Sequence, residues 1–193
     1  MVVMKLVLED GTTLRGQAFG ALREVSGEVV FNTGLTGYVE TLTDPSYKGQ
    51  ILVTTYPLQG NYGVPLDRPA GSLDEPFEND RIQVQGLVCV RHSARPHHHA
   101  SARTLGDWLT ASDVPALEGI DTRTLTRKLR EHGTMRGSIL HEHSDPATAV
   151  TDSVDMREVV ALTTVREPVH YPGGDLRILL VDTGCKDNIA RSL

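Results

Sequence analysis

Residues 27–64 read GEVVFNTGLTGYVETLTDPSYKGQILVTTYPLQGNYGV and contain the pattern that decides the fold. Short runs rich in β-branched and apolar residues, at Glu28–Asn32 and Gln50–Tyr56, are separated by a long connection rich in Gly, Thr and Asp. Such runs are typical of strands, and connections of this length are uncommon unless they serve a purpose. Two interpretations follow: a docking surface built from tight turns, or ordinary turns that close a β-rich fold. Composition alone favours the ordinary turns.

Four further segments carry the pattern of strands. Apolar residues alternate over Met4–Leu8, and Leu14–Phe19 returns after Asp10-Gly11, a pair suited to a tight hairpin turn. Alternation over Ile82–Val90 predicts another strand, and Met135–Leu140 is interpreted as one more. The first half of the chain is therefore expected to be a β-rich body.

Helices are predicted in the second half. Thr104 and Asp107 have capping-box spacing at the start of an apolar face. A second helix is predicted to begin at Asp121 or Thr122 and to end at Gly133. Two helices after a run of strands indicate an α/β protein of the α+β type.

The arginines that follow Asp121 leave two interpretations open. Asp121-Thr122-Arg123, with Arg127 and Arg130, fits a helix cap followed by a solvated basic face, and it also fits an anion site. The cap is the favoured interpretation.

The chain changes character after residue 141. Residues 142–174 are polar and rich in turn-forming residues, as in a linker, with a weak helix predicted over Met156–Leu162. The apolar run Leu176–Val181 is typical of a buried parallel strand. Since such a strand needs neighbours that the remaining residues cannot supply, a second, α/β domain is expected to begin near Leu176 and to be mostly missing.

Composition excludes several classes of protein. The 193 residues include 19 Lys+Arg and 25 Asp+Glu, for a net charge of -6, which argues against nucleic-acid binding. The sequence has neither a signal-peptide pattern nor an apolar run long enough for a membrane span. The cysteines, Cys89 and Cys185, form no CxxC pair, which suits a reducing compartment. A cytoplasmic location is therefore expected.

Isolated reactive residues give weak signals. His97, His98 and His99 are adjacent, so their side chains diverge and an exposed loop is favoured over a metal site. Cys185 lacks the second glycine of a nucleophile elbow, and Cys89 lies in a predicted strand as a small core residue. No catalytic residue and no metal ligand is predicted from these features.

Three long motifs carry a family resemblance. They are LEDGTTLRGQAFG at residues 8–20, the quoted stretch at 27–64, and GIDTRTLTRKLREHGTMRGSI at 119–139. Together they resemble the N-terminal half of the small, glutamine-hydrolysing subunit of carbamoyl phosphate synthetase, over about Lys5–Leu140. DTGCKDNIARSL, at 182–193, is similar to the first strand and turn of that subunit's class I glutamine amidotransferase domain.

The resemblance implies an architecture. Residues 1–141 would form the small-subunit N-terminal domain, with a swivelling β/β/α-type fold. Residues 142–174 would be the linker, and residues 175–193 the truncated start of a flavodoxin-like amidotransferase domain.

The resemblance also implies an activity for the complete enzyme, a heterodimeric ligase. The small subunit hydrolyses L-glutamine through a Cys-His-Glu triad, and ammonia passes through a channel to the large subunit. There bicarbonate and two ATP, with a divalent cation, give carbamoyl phosphate for arginine and pyrimidine biosynthesis. No cofactor is expected in the present chain.

One site residue carries over from the family. Ser46, in the DPSY motif, matches the serine that reaches across the domain interface to bound glutamine. The triad is expected beyond Leu193, and Cys185 does not match its nucleophile, so this chain alone is expected to be inactive. The alternative is a non-enzymatic module that docks on the large subunit.

Overall fold

The computed structural model describes residues 2–69, 71–148, 157–173 and 175–193. The strands are β1 (Val3–Leu8), β2 (Thr13–Ala18), β3 (Val25–Asn32), β4 (Gln50–Thr54), β5 (Leu58–Gln59), β6 (Gly86–Val88), β7 (Arg91–His92), β8 (Ala116–Glu118) and β9 (Met135–His141). The helices are α1 (Tyr38–Thr43), α2 (Leu105–Ala111), α3 (Thr122–His132), α4 (Val159–Thr163) and α5 (Asp187–Arg191). The strand-rich, mixed α/β class predicted from the sequence is confirmed.

The main sheet is a closed barrel with the strand order β1-β2-β8-β6-β4-β3-β9. Neighbouring strands from β3 through β4 and β6 to β8 run parallel, whereas β1, β2 and β9 pair antiparallel with their neighbours. Parallel strands share one end of the sheet, so the connections that leave β3 and β4 start from the same end of the barrel. The connection after β3 carries α1 and Ser46.

The N-terminal hairpin forms as predicted. Gly11 has a φ of 85°, and its N–H donates to the carbonyl oxygen of Leu8 at 2.9 Å. Glycine adopts this left-handed conformation without steric cost, so the chain reverses tightly. The side chains of Met4, Leu6 and Leu8 lie in the barrel core.

The parallel strands β3 and β4 approach each other so closely near Gly27 that this position requires a glycine. A Cβ atom on Gly27, in β3, would lie 2.4 Å from the carbonyl oxygen of Gly49, just before β4. This distance is far below a van der Waals contact, so a side chain there would force the two strands apart.

Two apolar cores lie on either side of the sheet. The interior of the barrel is filled by aliphatic side chains, and Leu125 and Leu129 of α3 pack at its edge. The second core is outside the barrel, where α1 and α2 cover β4 and β6. In it, Phe77 packs edge-on against Trp108, with 6.1 Å between ring centroids.

The two predicted helices are confirmed, with their caps. The Thr104 hydroxyl accepts the N–H of Asp107 at 3.0 Å and caps α2. The Asp121 carboxylate accepts the N–H of Thr124 at 3.0 Å and caps α3, which ends at Gly133, where φ is 85°.

Some predicted boundaries were wrong. The strand expected over Ile82–Val90 is limited to Gly86–Val88, because Ile82 and Val84 fill the outer core from a loop rather than from a ladder. The sequence also failed to predict α1 and β8. In the linker, the predicted helix is found as α4, and Met156 lies outside the described residues.

The prediction of a buried parallel strand at Leu176–Val181 is wrong for this chain. The segment forms no strand, and Leu176 and Leu179 are 83% and 89% exposed. An apolar run becomes a parallel strand only when neighbouring strands pair with it and helices cover its faces. Among the described residues, neither is present at this segment.

Across the same described ranges, every helix is too short or too polar to span a bilayer.

Candidate functional site

Ser46 lies in a one-turn helix, Pro45–Tyr47, between α1 and β4. The carboxylate of Asp44 caps this turn by accepting the N–H of Ser46 at 2.9 Å. The hydroxyl of Tyr47 accepts a hydrogen bond from the amide of Asn32 at 3.0 Å, which fixes the turn to the end of β3. Ser46 is exposed, so its hydroxyl is presented to solvent from a well-fixed turn.

A pair of stacked tyrosines supports α1, the helix that leads into this turn. The rings of Tyr38 and Tyr62 stack with 4.1 Å between centroids. The Tyr62 hydroxyl accepts the N–H groups of Gly37 and Tyr38 at 2.8 Å and 3.0 Å, and the Tyr38 hydroxyl donates to the carbonyl oxygen of Gly63. Burial raises the pKa of both phenols, so they remain protonated and keep these hydrogen bonds.

The void beside α1 is too small for an amino-acid substrate. It is lined by residues that include Asn32, Thr54 and Gln59, and it holds about 10 Å³. That volume fits about one water molecule. Ser46 does not line this void, which is therefore not the place where Ser46 would meet a ligand.

The C-terminal segment, residues 182–193, lies against the same face as Ser46. The ammonium of Lys186 is 3.7 Å from the Asp44 carboxylate. The N–H of Asp187 donates to the carbonyl oxygen of Glu78 at 3.1 Å, and the N–H of Asn188 donates to the Glu78 carboxylate at 2.7 Å. The structure thus places the residue predicted to contact glutamine beside the segment predicted to begin a second domain.

Within the C-terminal segment, Asp182 organises the turn that precedes α5. Its carboxylate accepts the N–H groups of Gly184 and Cys185 at 2.9 Å and 2.7 Å, and the N–H of Val165 at 2.7 Å. Burial acts to raise the pKa of Asp182, but the three N–H donors outweigh it and the pKa is lowered. The turn is therefore ordered although the preceding apolar run is exposed.

Sequence comparison defines the family of this fold and site. A model of the carbamoyl-phosphate synthase small chain, CPSase domain, matches residues 6–139. The chain belongs to this family. The family resemblance predicted from the sequence motifs is confirmed.

Curated relatives extend the match beyond that domain. The chain is 46% identical over 190 residues to the multifunctional protein CAD of Squalus acanthias, covering 97% of this chain and 8% of that protein. It is 43% identical over 190 residues to the carbamoyl phosphate synthase small chain of Saccharolobus solfataricus, covering 97% of this chain and 52% of the relative. A pyrimidine-specific small chain from Halalkalibacterium halodurans is 42% identical over 192 residues, with 98% and 51% covered. The chain thus spans about half the length of the small chains it matches.

Neither cysteine of this member of the carbamoyl-phosphate synthase small-chain family has an activated thiol. Cys185 is partly buried, and burial, together with the charges of Asp182 and Asp187, raises its pKa. Cys89 directly follows β6 and so is not part of a strand as predicted, but it is fully buried, and burial raises the pKa of its thiol as well. A raised pKa removes the nucleophilic thiolate at neutral pH.

The histidine cluster of this small-chain domain is a surface loop. His97, His98 and His99 are all exposed, and the ring of His98 accepts the N–H of Ala100 at 3.2 Å. No group of three or more metal-ligating side chains is assembled anywhere in the described part of the chain.

The charged residues of α3 form a cap and an external face. Asp121 is committed to the N–H and hydroxyl of Thr124, at 3.0 Å and 2.7 Å. Lys128 pairs with Asp10, and Arg130 lies over the ring of Phe31 at 5.3 Å. These contacts favour the interpretation of a cap and a solvated basic face.

Sequence patterns did not predict the residues that join the C-terminal segment to the body. Glu78 and Arg191 are 113 positions apart, and their ion pair has no local sequence signal. The sequence signal for this contact is charge alone: residues 74–80 (DEPFEND) are acidic, whereas Lys186 and Arg191 are basic.

Proposed function

We propose that this chain is the N-terminal part of the small subunit of a glutamine-dependent carbamoyl phosphate synthetase. The match of residues 6–139 to the CPSase domain of that small chain is the observation that carries the proposal. Several relatives are named carbamoyl phosphate synthase small chains, and a small chain implies a large one. The partner proposed for this chain is therefore the large subunit of the same enzyme.

In the complete small subunit, a Cys-His-Glu triad of the amidotransferase domain hydrolyses glutamine and releases ammonia. Ammonia is mostly protonated in water, so a sealed path to the large subunit keeps it nucleophilic. The large subunit, with ATP and a divalent cation, converts ammonia and bicarbonate to carbamoyl phosphate. None of the 193 residues is assigned to the triad, and we propose that this chain by itself does not hydrolyse glutamine.

Ser46 is proposed to hydrogen-bond bound glutamine across the domain interface. Three features support this role: Ser46 is exposed, its turn is capped by Asp44, and residues 182–193 lie beside it. A serine hydroxyl both donates and accepts, which suits the polar groups of an amino acid.

The docking face is proposed to include the connection after β3. Leu35, in this connection, is 71% exposed, so its apolar side chain is available to pack against a partner. The alternative function, a docking module without hydrolysis, uses the same face and differs only in whether an amidotransferase domain accompanies it.

The test is binding to a purified large subunit, followed by size-exclusion chromatography. We expect the 193-residue chain to form a complex and Leu35→Asp to weaken it. Leu22→Asp is the matched control, because Leu22 is 55% exposed outside residues 27–64. Absence of a complex, or equal loss in both variants, would contradict the proposed docking face.

Assays of carbamoyl phosphate synthesis separate the two functions. A small subunit that includes the amidotransferase domain should support synthesis from glutamine. The 193-residue chain should leave synthesis dependent on added ammonia. If the longer subunit also required ammonia, the docking-module alternative would replace the proposed function.

A further inference from the structure

Buried charges fasten the C-terminal segment to Arg68 and to the loop of residues 71–80. Arg191 donates to the carbonyl oxygens of Leu73 and Phe77, both at 2.9 Å, and to the carboxylate of Glu78 at 3.1 Å. The side chains of Arg191 and Glu78 are only 16% and 10% exposed. The other oxygen of Glu78 accepts the N–H of Asn188, so both carboxylate oxygens of Glu78 contact the C-terminal segment.

A second pair of opposite charges lies beside the first. The guanidinium of Arg68, 6% exposed, pairs with Asp187 and, at 2.9 Å, with Asp80. Arg68 also donates to the carbonyl oxygen of Phe77 at 3.3 Å, which Arg191 shares. We call Arg68, Glu78, Asp187 and Arg191 the charge clasp.

The clasp differs from the surface ion pairs of this protein. Exposed pairs such as Arg23–Asp113 lose little when they open, because water replaces each partner. In the clasp, removing one partner while the segment stays docked would leave a buried charge unpaired, which is costly. The contacts are therefore expected to persist in solution and to hold α5 at one place on the body.

The clasp is also connected to the Ser46 turn. The N–H of Glu78 donates to the hydroxyl of Thr43 at 2.9 Å, and Thr43 is the last residue of α1. Asp44, the next residue, caps the Ser46 turn and lies 3.7 Å from Lys186. One short chain of contacts thus joins α5 to the backbone that carries Ser46.

We propose that the charge clasp sets the position of Ser46 relative to the amidotransferase domain, so that its members are positioning residues for glutamine. The inference rests on the proposed function, in which Ser46 contacts glutamine. It goes further because it gives four residues of this chain a role: they align a glutamine site that two domains share.

The first arm of the test measures amide hydrogen exchange in the 193-residue chain. Arg191→Met should increase exchange at Asp187 and Asn188 by at least about tenfold, because the acceptors on Glu78 lose their alignment. Glu78→Gln is a milder second variant, since it removes the charge and keeps the shape. Arg177→Met is the matched control: Arg177 is an exposed arginine shortly before the C-terminal segment.

The second arm uses the complete small subunit bound to its large subunit. Arg191→Met should raise the KM for glutamine by about 2- to 12-fold, the range of one hydrogen bond, with kcat little changed. Synthesis from ammonia should be unaffected, and Arg191→Lys should recover part of the loss. A change in stability alone would not move KM for glutamine while sparing ammonia use.

The outcomes separate this inference from the function on which it rests. Unchanged exchange in both variants would overturn the clasp. Faster exchange with an unchanged KM for glutamine would overturn its positioning role. If the wild-type complex used only ammonia, the proposed function would fail and the positioning role would fall with it, whereas the exchange arm would still decide whether α5 is clasped.

Discussion

The Asp44 carboxylate lies between Lys186 and Ser46. One oxygen accepts the N–H of Ser46 at 2.9 Å, and the other is 3.7 Å from the Lys186 ammonium. A single side chain thus caps the turn that presents Ser46 and faces the first residues of the C-terminal segment. Ser46 belongs to the body of the domain, whereas the neighbouring segment, residues 182–193, comes from the far end of the chain.

Ser46→Ala, made in a small subunit that carries the amidotransferase domain, should weaken glutamine use. Loss of one hydrogen bond costs about 0.5–1.5 kcal/mol, or about 2- to 12-fold in the KM for glutamine. Ammonia-dependent synthesis should be unchanged, as measured by steady-state kinetics with each nitrogen source. Ser112→Ala, at an exposed serine beyond α2, is the control. An unchanged KM would refute the role proposed for Ser46.

Thr104→Ala should destabilise the domain through α2. The Thr104 hydroxyl accepts the N–H of Asp107 at 3.0 Å and donates to its carboxylate at 2.7 Å. Loss of such a cap lowers the free energy of unfolding by about 0.5–2 kcal/mol, which urea denaturation can measure. Thr104→Ser keeps the hydroxyl and should retain most of the stability. Equal stability of Thr104→Ala and wild type would contradict the capping role.

Asp10 should titrate at unusually low pH. The hydrogen bond from Lys128 lowers the pKa of Asp10 from its ordinary 3.8 to about 2. The pair therefore stabilises the folded state above pH 3.8, and its contribution disappears as pH falls from 3.8 through about 2. An NMR titration of the Asp10 carboxyl should give a higher pKa in Lys128→Met.

The matched control for this titration is Arg127→Met, an exposed cation one position away on α3. It should leave the pKa of Asp10 nearly unchanged. The predicted cause would be wrong if both substitutions raised the pKa equally. Because Asp10 and Lys128 are partly exposed, the effect on unfolding should be small, at about 0–1 kcal/mol.

The two cysteines should react slowly in the folded protein. Burial raises the pKa of both thiols, and only the thiolate is alkylated readily. We expect Cys89 to resist iodoacetamide until the protein unfolds and Cys185 to react more slowly than free cysteine. Peptide mass spectrometry, with Cys185→Ser as the single-thiol control, measures both rates. Rapid native-state labelling of Cys89 would show that the barrel wall opens.

Exchange protection should change sharply between residues 176–181 and the C-terminal segment that follows them. The apolar run 176–181 is exposed, whereas the N–H groups of Asp187 and Asn188 donate to Glu78. Amides of 176–181 should exchange rapidly in the 193-residue chain, and those at 187–188 slowly. Strong protection at 176–181 would mean that the run finds partners that the structure does not contain.

Local sequence signals predicted the elements that depend on local interactions. Asp10-Gly11 marked the hairpin, and the cap at Asp121 with Gly133 marked both ends of α3. By contrast, α1 follows Gly37, which provides no side-chain cap, and β8 is only 3 residues long. Neither has enough periodicity to be detected, and each forms because the outer core and the barrel supply its partners.

The candidate site was predicted only in part. The DPSY motif located Ser46 through the family resemblance, although its role there stays a prediction. The neighbours of Ser46 could not be predicted, since Glu78 and Arg191 are 113 positions apart and meet only in the folded chain. For the apolar run 176–181, the sequence pattern predicted burial, but the run is exposed. An apolar pattern alone does not ensure that other parts of the chain cover it.

The strand order has a consequence for synthesis of the protein. β9 pairs with both β1 and β3, so the barrel cannot close before residues 135–141 have left the ribosome. Until then a nascent chain carries unpaired edges on two strands, a state open to misassociation and to capture by chaperones. Pairing of β9, the last barrel strand to be translated, is therefore the step that closes the barrel. A translational pause before β9 would prolong the time for which the edges of β1 and β3 stay unpaired.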